Sequence, residues 1–155
     1  MSTFGVARAP LFNHSGGEQI IQWRTLRGWS HKYQTVWVDV GKLEDNFQFD
    51  NGRRFSGLHG IDGKYEGVGQ FVASGARLDM IDLFVRTKEG RRVVSIYDGR
   101  HRFAWMRDHG AKALPVAALI GDAYEVSKLI GSDARICRVT MQDGCLPVTG
   151  KTVSL

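Results

Sequence analysis

Residues Asp98 to Gly110 read DGRHRFAWMRDHG, and the fold turns on how this stretch is parsed. Immediately before it, Arg92 to Tyr97 (RVVSIY) is an apolar, β-branched run of the kind that forms a buried strand. Asp98-Gly99 then reads as a turn, Arg102 to Asp108 as a short helix, Gly110 as its cap, and the following LPVAAL as a second strand. The first amides of a helix lack intrahelical partners and sit at the positive end of its dipole. A phosphate fits there, and Arg100 and Arg102 would neutralise it. Strand, turn, helix and strand together predict a phosphate cradle.

The chain has 155 residues, 43% of them hydrophobic, enough for one core and short for two. It carries no apolar run long enough to span a membrane and no secretory signal in its first residues, which predicts a cytoplasmic protein without membrane contact. Cys137 and Cys145 have neither zinc-knuckle nor redox spacing and are expected to be unpaired thiols. The formal charge of +5 is compatible with an anionic partner, but its distribution says more. Arg86, Lys88, Arg91, Arg92, Arg100, Arg102 and Arg107 cluster in sequence, which predicts basicity concentrated around the cradle.

Residues 1–18 lack periodicity and are expected to form a flexible arm, with one domain over 19–155. From Gln19, IIQWRTLRG and HKYQTVWVDV read as two strands of a hairpin joined across Gly28 to Ser30. GKLEDNFQF begins a short helix, and the glycine-rich loop at 50–63 could serve as a lid. Lys64 to Ser74 (KYEGVGQFVAS) places Tyr65, Val68, Phe71 and Val72 at helical spacing and stops at Gly75. MIDLFVRT, the turn KEGR and RVVSIY form a hairpin feeding the cradle. Asp122 is expected to cap a helix through Ile130, and RICRVTM with LPVTGKTVSL to form a last strand pair around Asp143-Gly144.

The helix, GARLDMIDLFV, the hairpin and DGRHRFAWMRDHGAKALPV together resemble the core of the ParB/sulfiredoxin superfamily over roughly Val36 to Leu119. The wording is most similar to the plasmid fertility inhibition factor (Osa-like) family of mobile elements. The resemblance implies an α+β single domain, a mixed sheet with short helices packed on it. It also implies binding of ATP or another nucleotide, hydrolysis of nucleotide or DNA, and interference with conjugative transfer; Mg²⁺ is expected to bridge the nucleotide's phosphates, since few basic residues shield a triphosphate alone. Departures narrow this. Arg100 stands where sulfiredoxin has its reactive cysteine, which argues against sulfinic acid reduction, although Gly99, His101 and Arg102 match. Gly99 and Arg102 also satisfy the Gly-x-x-Arg turn with which ParB proteins read CTP, but no helix-turn-helix follows. Free serine kinases of this fold carry a turn that differs only at Arg100 and need an upstream carboxylate as base. Glu66 and Asp62 hold positions suited to that role.

The residues themselves keep several roles open. Asp98, Gly99, Arg100, His101 and Arg102 form the expected nucleotide site, with Asp98 either a magnesium ligand, a helix cap or a carboxylate orienting Arg100. His101 could donate to phosphate, act as acid or base, or bond a carbonyl; Glu66 is the first choice of catalytic carboxylate. Trp105 and His109 read as structural. Arg86, Lys88, Arg91 and Arg92 would supply affinity for DNA. Competing functions are a nucleotide-binding protein of a mobile element, a non-enzymatic inhibitor docking on a conjugation or defence complex, and a small-molecule kinase.

Overall fold

The computed structural model describes residues 17–25, 31–56 and 63–141. Nearly all of the arm expected over 1–18, the Gly28 to Ser30 turn, Asp62, Cys145 and the last expected strand lie outside the described residues.

The structure is α+β. Strands β1 (Glu18–Ile20), β2 (Trp23–Arg24) and β3 (Tyr33–Asp39) precede helices α1 (Val40–Asn51) and α2 (Lys64–Ser74). Then come β4 (Leu78–Asp79), β5 (Ile81–Lys88), β6 (Arg91–Asp98), α3 (Arg100–Asp108), β7 (Ala113–Leu119), α4 (Ala123–Ile130) and β8 (Arg138–Thr140). The main sheet is four-stranded and mixed, in the order β3-β7-β5-β6. Its outer pairs are antiparallel and its central β5-β7 pair is parallel. That central position explains the sequence of β7, whose residues Ala113 to Leu114 and Pro115 to Ala118 are all buried, as an apolar run without alternation should be.

Local chemistry sets the helix boundaries. Asp39 accepts a hydrogen bond from the Lys42 amide (2.9 Å) and so caps α1, while Gly52 in the left-handed region ends it. The buried face of α1, Val40, Leu43, Asn46, Phe47 and Asp50, recurs at three- and four-residue spacing. Asn46 has a further task. Its amide oxygen accepts from the Val94 N–H (3.0 Å) and its nitrogen donates to the Val94 carbonyl, so one side chain pairs the outer rim of edge strand β6 as a neighbouring strand would.

Two expectations need correction. The hairpin expected from Gln19 to Asp39 does not form: β1 pairs with β8, β2 with β4 and β3 with β7. Strands of two or three residues gain little from each other and are placed by whichever exposed edge the rest of the fold offers. Asp122 does not cap α4 with its side chain; its carboxylate accepts from the Val85 amide of β5 (3.1 Å) and ties α4's entry to the sheet. RICRVTM supplies β8, which adds to β1. Cys137 is free and buried, and burial pushes its thiol up to about 12, so it is not a reactive thiolate.

Internal glycine in α2 has a packing reason. A Cβ at Gly69 would stand 2.9 Å from Trp105 Nε1, and Trp105, 3% exposed, is held by a parallel stack on His109 (3.7 Å). Gly69 therefore lets α2 settle on α3, consistent with structural roles for Trp105 and His109.

Candidate nucleotide-phosphate site

The turn between β6 and α3 is built around Gly99, whose φ of +110° is a backbone conformation that side chains disfavour. Space is also denied, because a Cβ there would come 3.0 Å from both Arg102 Nη2 and the buried Ile81 Cγ1. The Phe103 N–H donates to the Gly99 carbonyl (2.9 Å), closing the first turn of α3. No side chain caps this end, so the Arg100, His101 and Arg102 amides have no partner within the helix. With the helix dipole they form a ready site for an anion.

The turn lies on an open cleft of about 520 Å³. Gly99, Arg100, His101 and Arg102 share its lining with Arg24 of β2, Lys64 of α2, Arg77 before β4 and the aromatic rings of Phe71 and Tyr97. Five arginine and lysine side chains face two aspartates, Asp79 and Asp98, leaving a formal excess of three positive charges. Arg24 pairs with Asp79 (2.5 Å). Arg102 donates to the Asp79 carbonyl (2.7 Å) and lies 3.3 Å from the Asp98 carboxylate. Asp98 thus neither caps α3 nor orients Arg100, as sequence had offered, but holds Arg102 across the turn. Arg100 is exposed at the cleft. His101 is half-buried, with its ring edge-on to Phe55 at 5.2 Å.

The other expected site residues are placed elsewhere. Glu66 is exposed in the first turn of α2, where a carboxylate complements the dipole, and does not line the cleft. The hairpin cations are engaged in holding the sheet to its helices. Arg86 pairs with Asp50 (2.5 Å) and bonds Ser95 Oγ (2.8 Å), and Lys88 donates to the carbonyls of Phe49 (3.1 Å) and Asp50. Arg91 lies over the Phe49 ring at 4.1 Å, and Arg92 forms a two-point pair with Glu125 (2.9 Å each). These residues flank the β5-β6 turn, and the eight residues of β6 separate that turn from Gly99 by more than about 20 Å. The basicity expected around the cradle is therefore split between two ends of the sheet. Arg107 is also internal, at 9% side-chain exposure, and bonds Glu44, Asp108 and the Phe55 carbonyl.

What takes the place of those cations at the cleft is Arg24, Lys64 and Arg77, none of them distinguished by sequence alone. Arg77 belongs to the GARLDM segment between α2 and β5, the one signal that bore on it. Helical spacing groups Phe71 with the apolar face of α2, but it is 57% exposed while Tyr65, Val68 and Val72 are buried. Among the described residues no group of three or more histidine, cysteine, aspartate or glutamate side chains is arranged to hold a metal ion, and no helix is long and apolar enough to cross a membrane.

No protein-family model and no curated protein matches the chain. Among solved structures it is similar to the Oncogenic Suppression Activity protein, a plasmid fertility inhibition factor crystallised as a gold(I) cyanide derivative. The TM-score is 0.58 at 12% sequence identity, over 76% of this chain and 65% of that one. The two proteins share a fold. The chain spans about two thirds of that factor's length, and at this identity the likeness concerns architecture alone.

Proposed function

We propose that this chain binds a nucleotide such as ATP through its phosphates at the Gly99 to Arg102 turn, and that it acts for a plasmid or other mobile element in controlling transfer. The observation that carries the binding reading is the coincidence, in one cleft, of an uncapped helix N-terminus, a left-handed glycine and an excess of cationic side chains. Each alone is common. Together they give an anion backbone donors, close approach and charge neutralisation. The role in transfer rests on the fold shared with a plasmid fertility inhibition factor.

Magnesium fits this reading in a limited way. Mg²⁺ is usually held by one or two carboxylates together with substrate phosphates and water. Asp98, whose side chain is 71% exposed at the cleft, is the residue suited to it. Bound with the nucleotide, the ion would neutralise phosphate charge. Asp79 and Asp98 are both committed to arginines, and Glu66 stands outside the cleft, so the geometry supports holding phosphates more directly than a carboxylate acting as general base. Isothermal titration with Mg-ATP tests the proposal. Arg100→Ala should weaken binding by about 1.5–3 kcal/mol, the range for a lost charge-assisted hydrogen bond, with an unchanged melting temperature. Equal affinities for wild type and variant would remove Arg100 from the site, and no binding to wild type would leave the inhibitor reading in its place.

A further inference from the structure

Two aromatic rings at the cleft are left unused by phosphate binding. Phe71 is 57% exposed and Tyr97 74% exposed, and both line the cleft that contains the Gly99 turn. Core packing accounts for neither. On α2, Phe71 stands outside the buried face formed by Tyr65, Val68 and Val72. On β6, Ile96 is opposite Leu83 and Asp98 is opposite Asp82. Leu83 and Asp82 are adjacent on β5, so Tyr97 is the additional residue of a β-bulge. A bulge re-aims the side chain it carries, and this one falls immediately before the phosphate-binding turn. An edge contact from Phe84 (6.5 Å between centroids, 74° between planes) steadies the Tyr97 ring.

The cleft is also larger than a phosphate requires. At about 520 Å³ it lies within the range of pockets that enclose small organic ligands, whereas a phosphate group displaces only a few waters of about 30 Å³ each. Exposed aromatic faces beside cations are the arrangement on which heterocyclic bases stack, because every base offers a π face whatever its hydrogen-bonding edge.

We propose that Phe71 and Tyr97 receive the base of a nucleotide whose phosphates lie on the first turn of α3, so that the cleft selects nucleotides over inorganic or sugar phosphates. This rests on the phosphate reading of the same cleft and extends it to the ligand's other end. Stacking tolerates different bases, so discrimination among ATP, GTP and CTP is weak at this site.

Isothermal titration with two ligands, Mg-ATP and magnesium tripolyphosphate, separates the two ends. Wild type should bind ATP at least about tenfold tighter than tripolyphosphate. Phe71→Ala and Tyr97→Ala should each weaken ATP binding by about 5- to 150-fold, the range for loss of one stacked base, and leave tripolyphosphate unchanged. Phe71→Tyr and Tyr97→Phe should retain wild-type affinity. Both side chains are exposed, so the variants keep the core intact. Equal binding of the two ligands by wild type, or ATP affinity untouched by both alanine variants, would overturn base stacking while the phosphate site stands. Binding of neither ligand to wild type would overturn both.

Discussion

Replacing Gly99 by alanine tests how closely the cradle depends on its backbone. Two costs follow from the structure. The first is conformational: at φ +110° and ψ 22° an alanine occupies a region that residues with a Cβ visit only under constraint, at about 1–3 kcal/mol. The second is steric, since the new Cβ would meet Arg102 Nη2 and Ile81 Cγ1, each at 3.0 Å. The guanidinium ends a flexible side chain and can withdraw, but doing so strains its bonds to Asp79 and Asp98. Ile81 has no exposure and cannot retreat, so a small overpacking term of about 1 kcal/mol adds to the conformational one. The expected loss is about 2–4 kcal/mol in urea unfolding with an unchanged m-value, together with loss of nucleotide binding. A variant within about 0.5 kcal/mol of wild type, the scatter of ordinary surface substitutions, would refute the argument that glycine is required here.

Gly69→Ala should destabilise by about 1–2 kcal/mol despite improving helix propensity, because the added methyl collides with a Trp105 ring pinned by His109; a raised melting temperature would show that the ring can shift. Asn46→Ala leaves the Val94 amide and carbonyl without the partners they now have, and should cost about 2–4 kcal/mol in denaturant unfolding, an expectation that a neutral variant would contradict. Burial raises the Asp108 carboxyl, but hydrogen bonds from Arg107 and Tyr65 together with the positive charges of Arg107 and Arg54 outweigh it and hold the group below its ordinary value. A lowered carboxyl stabilises the fold above the unfolded-state value near 4 and ceases to do so as pH falls through its folded value, so Asp108→Asn should flatten the loss of stability as pH falls below about 4; parallel wild-type and variant profiles would refute this.

The elements most legible in the sequence were those bounded by their own local chemistry. Lys64 to Ser74 is a helix lying between Gly63 and Gly75, both in the left-handed region, and the hairpin of β5 and β6 turns at Glu89-Gly90 as the KEGR segment implies. The turn at Gly99 and the α3 helix were equally plain, and the α+β class followed from them. Pairings between remote short strands were not legible, since β1 with β8 and β2 with β4 depend on edges that exist only once the main sheet has formed. The same topology brings Arg24 and Arg77 to the cleft. Charge counts along the chain treated Arg86, Lys88, Arg91 and Arg92 as available, whereas each has a partner on α1 or α4, or an aromatic ring beneath it. A period of 3.6 marked Phe71 as apolar and helical but could not say that its direction leads to a cleft instead of the core.

The central claim is that phosphate oxygens occupy the uncapped first turn of α3, and backbone amide resonances report this most directly. On titration of the isotopically labelled protein with Mg-ATP, the amides of Arg100, His101 and Arg102 should shift furthest and saturate together, with Gly99 following. Those of Arg86, Lys88, Arg91 and Arg92 beside the β5-β6 turn should stay in place. Saturating shifts confined to the hairpin, or no shift at the α3 turn at nucleotide concentrations that saturate binding, would contradict the account.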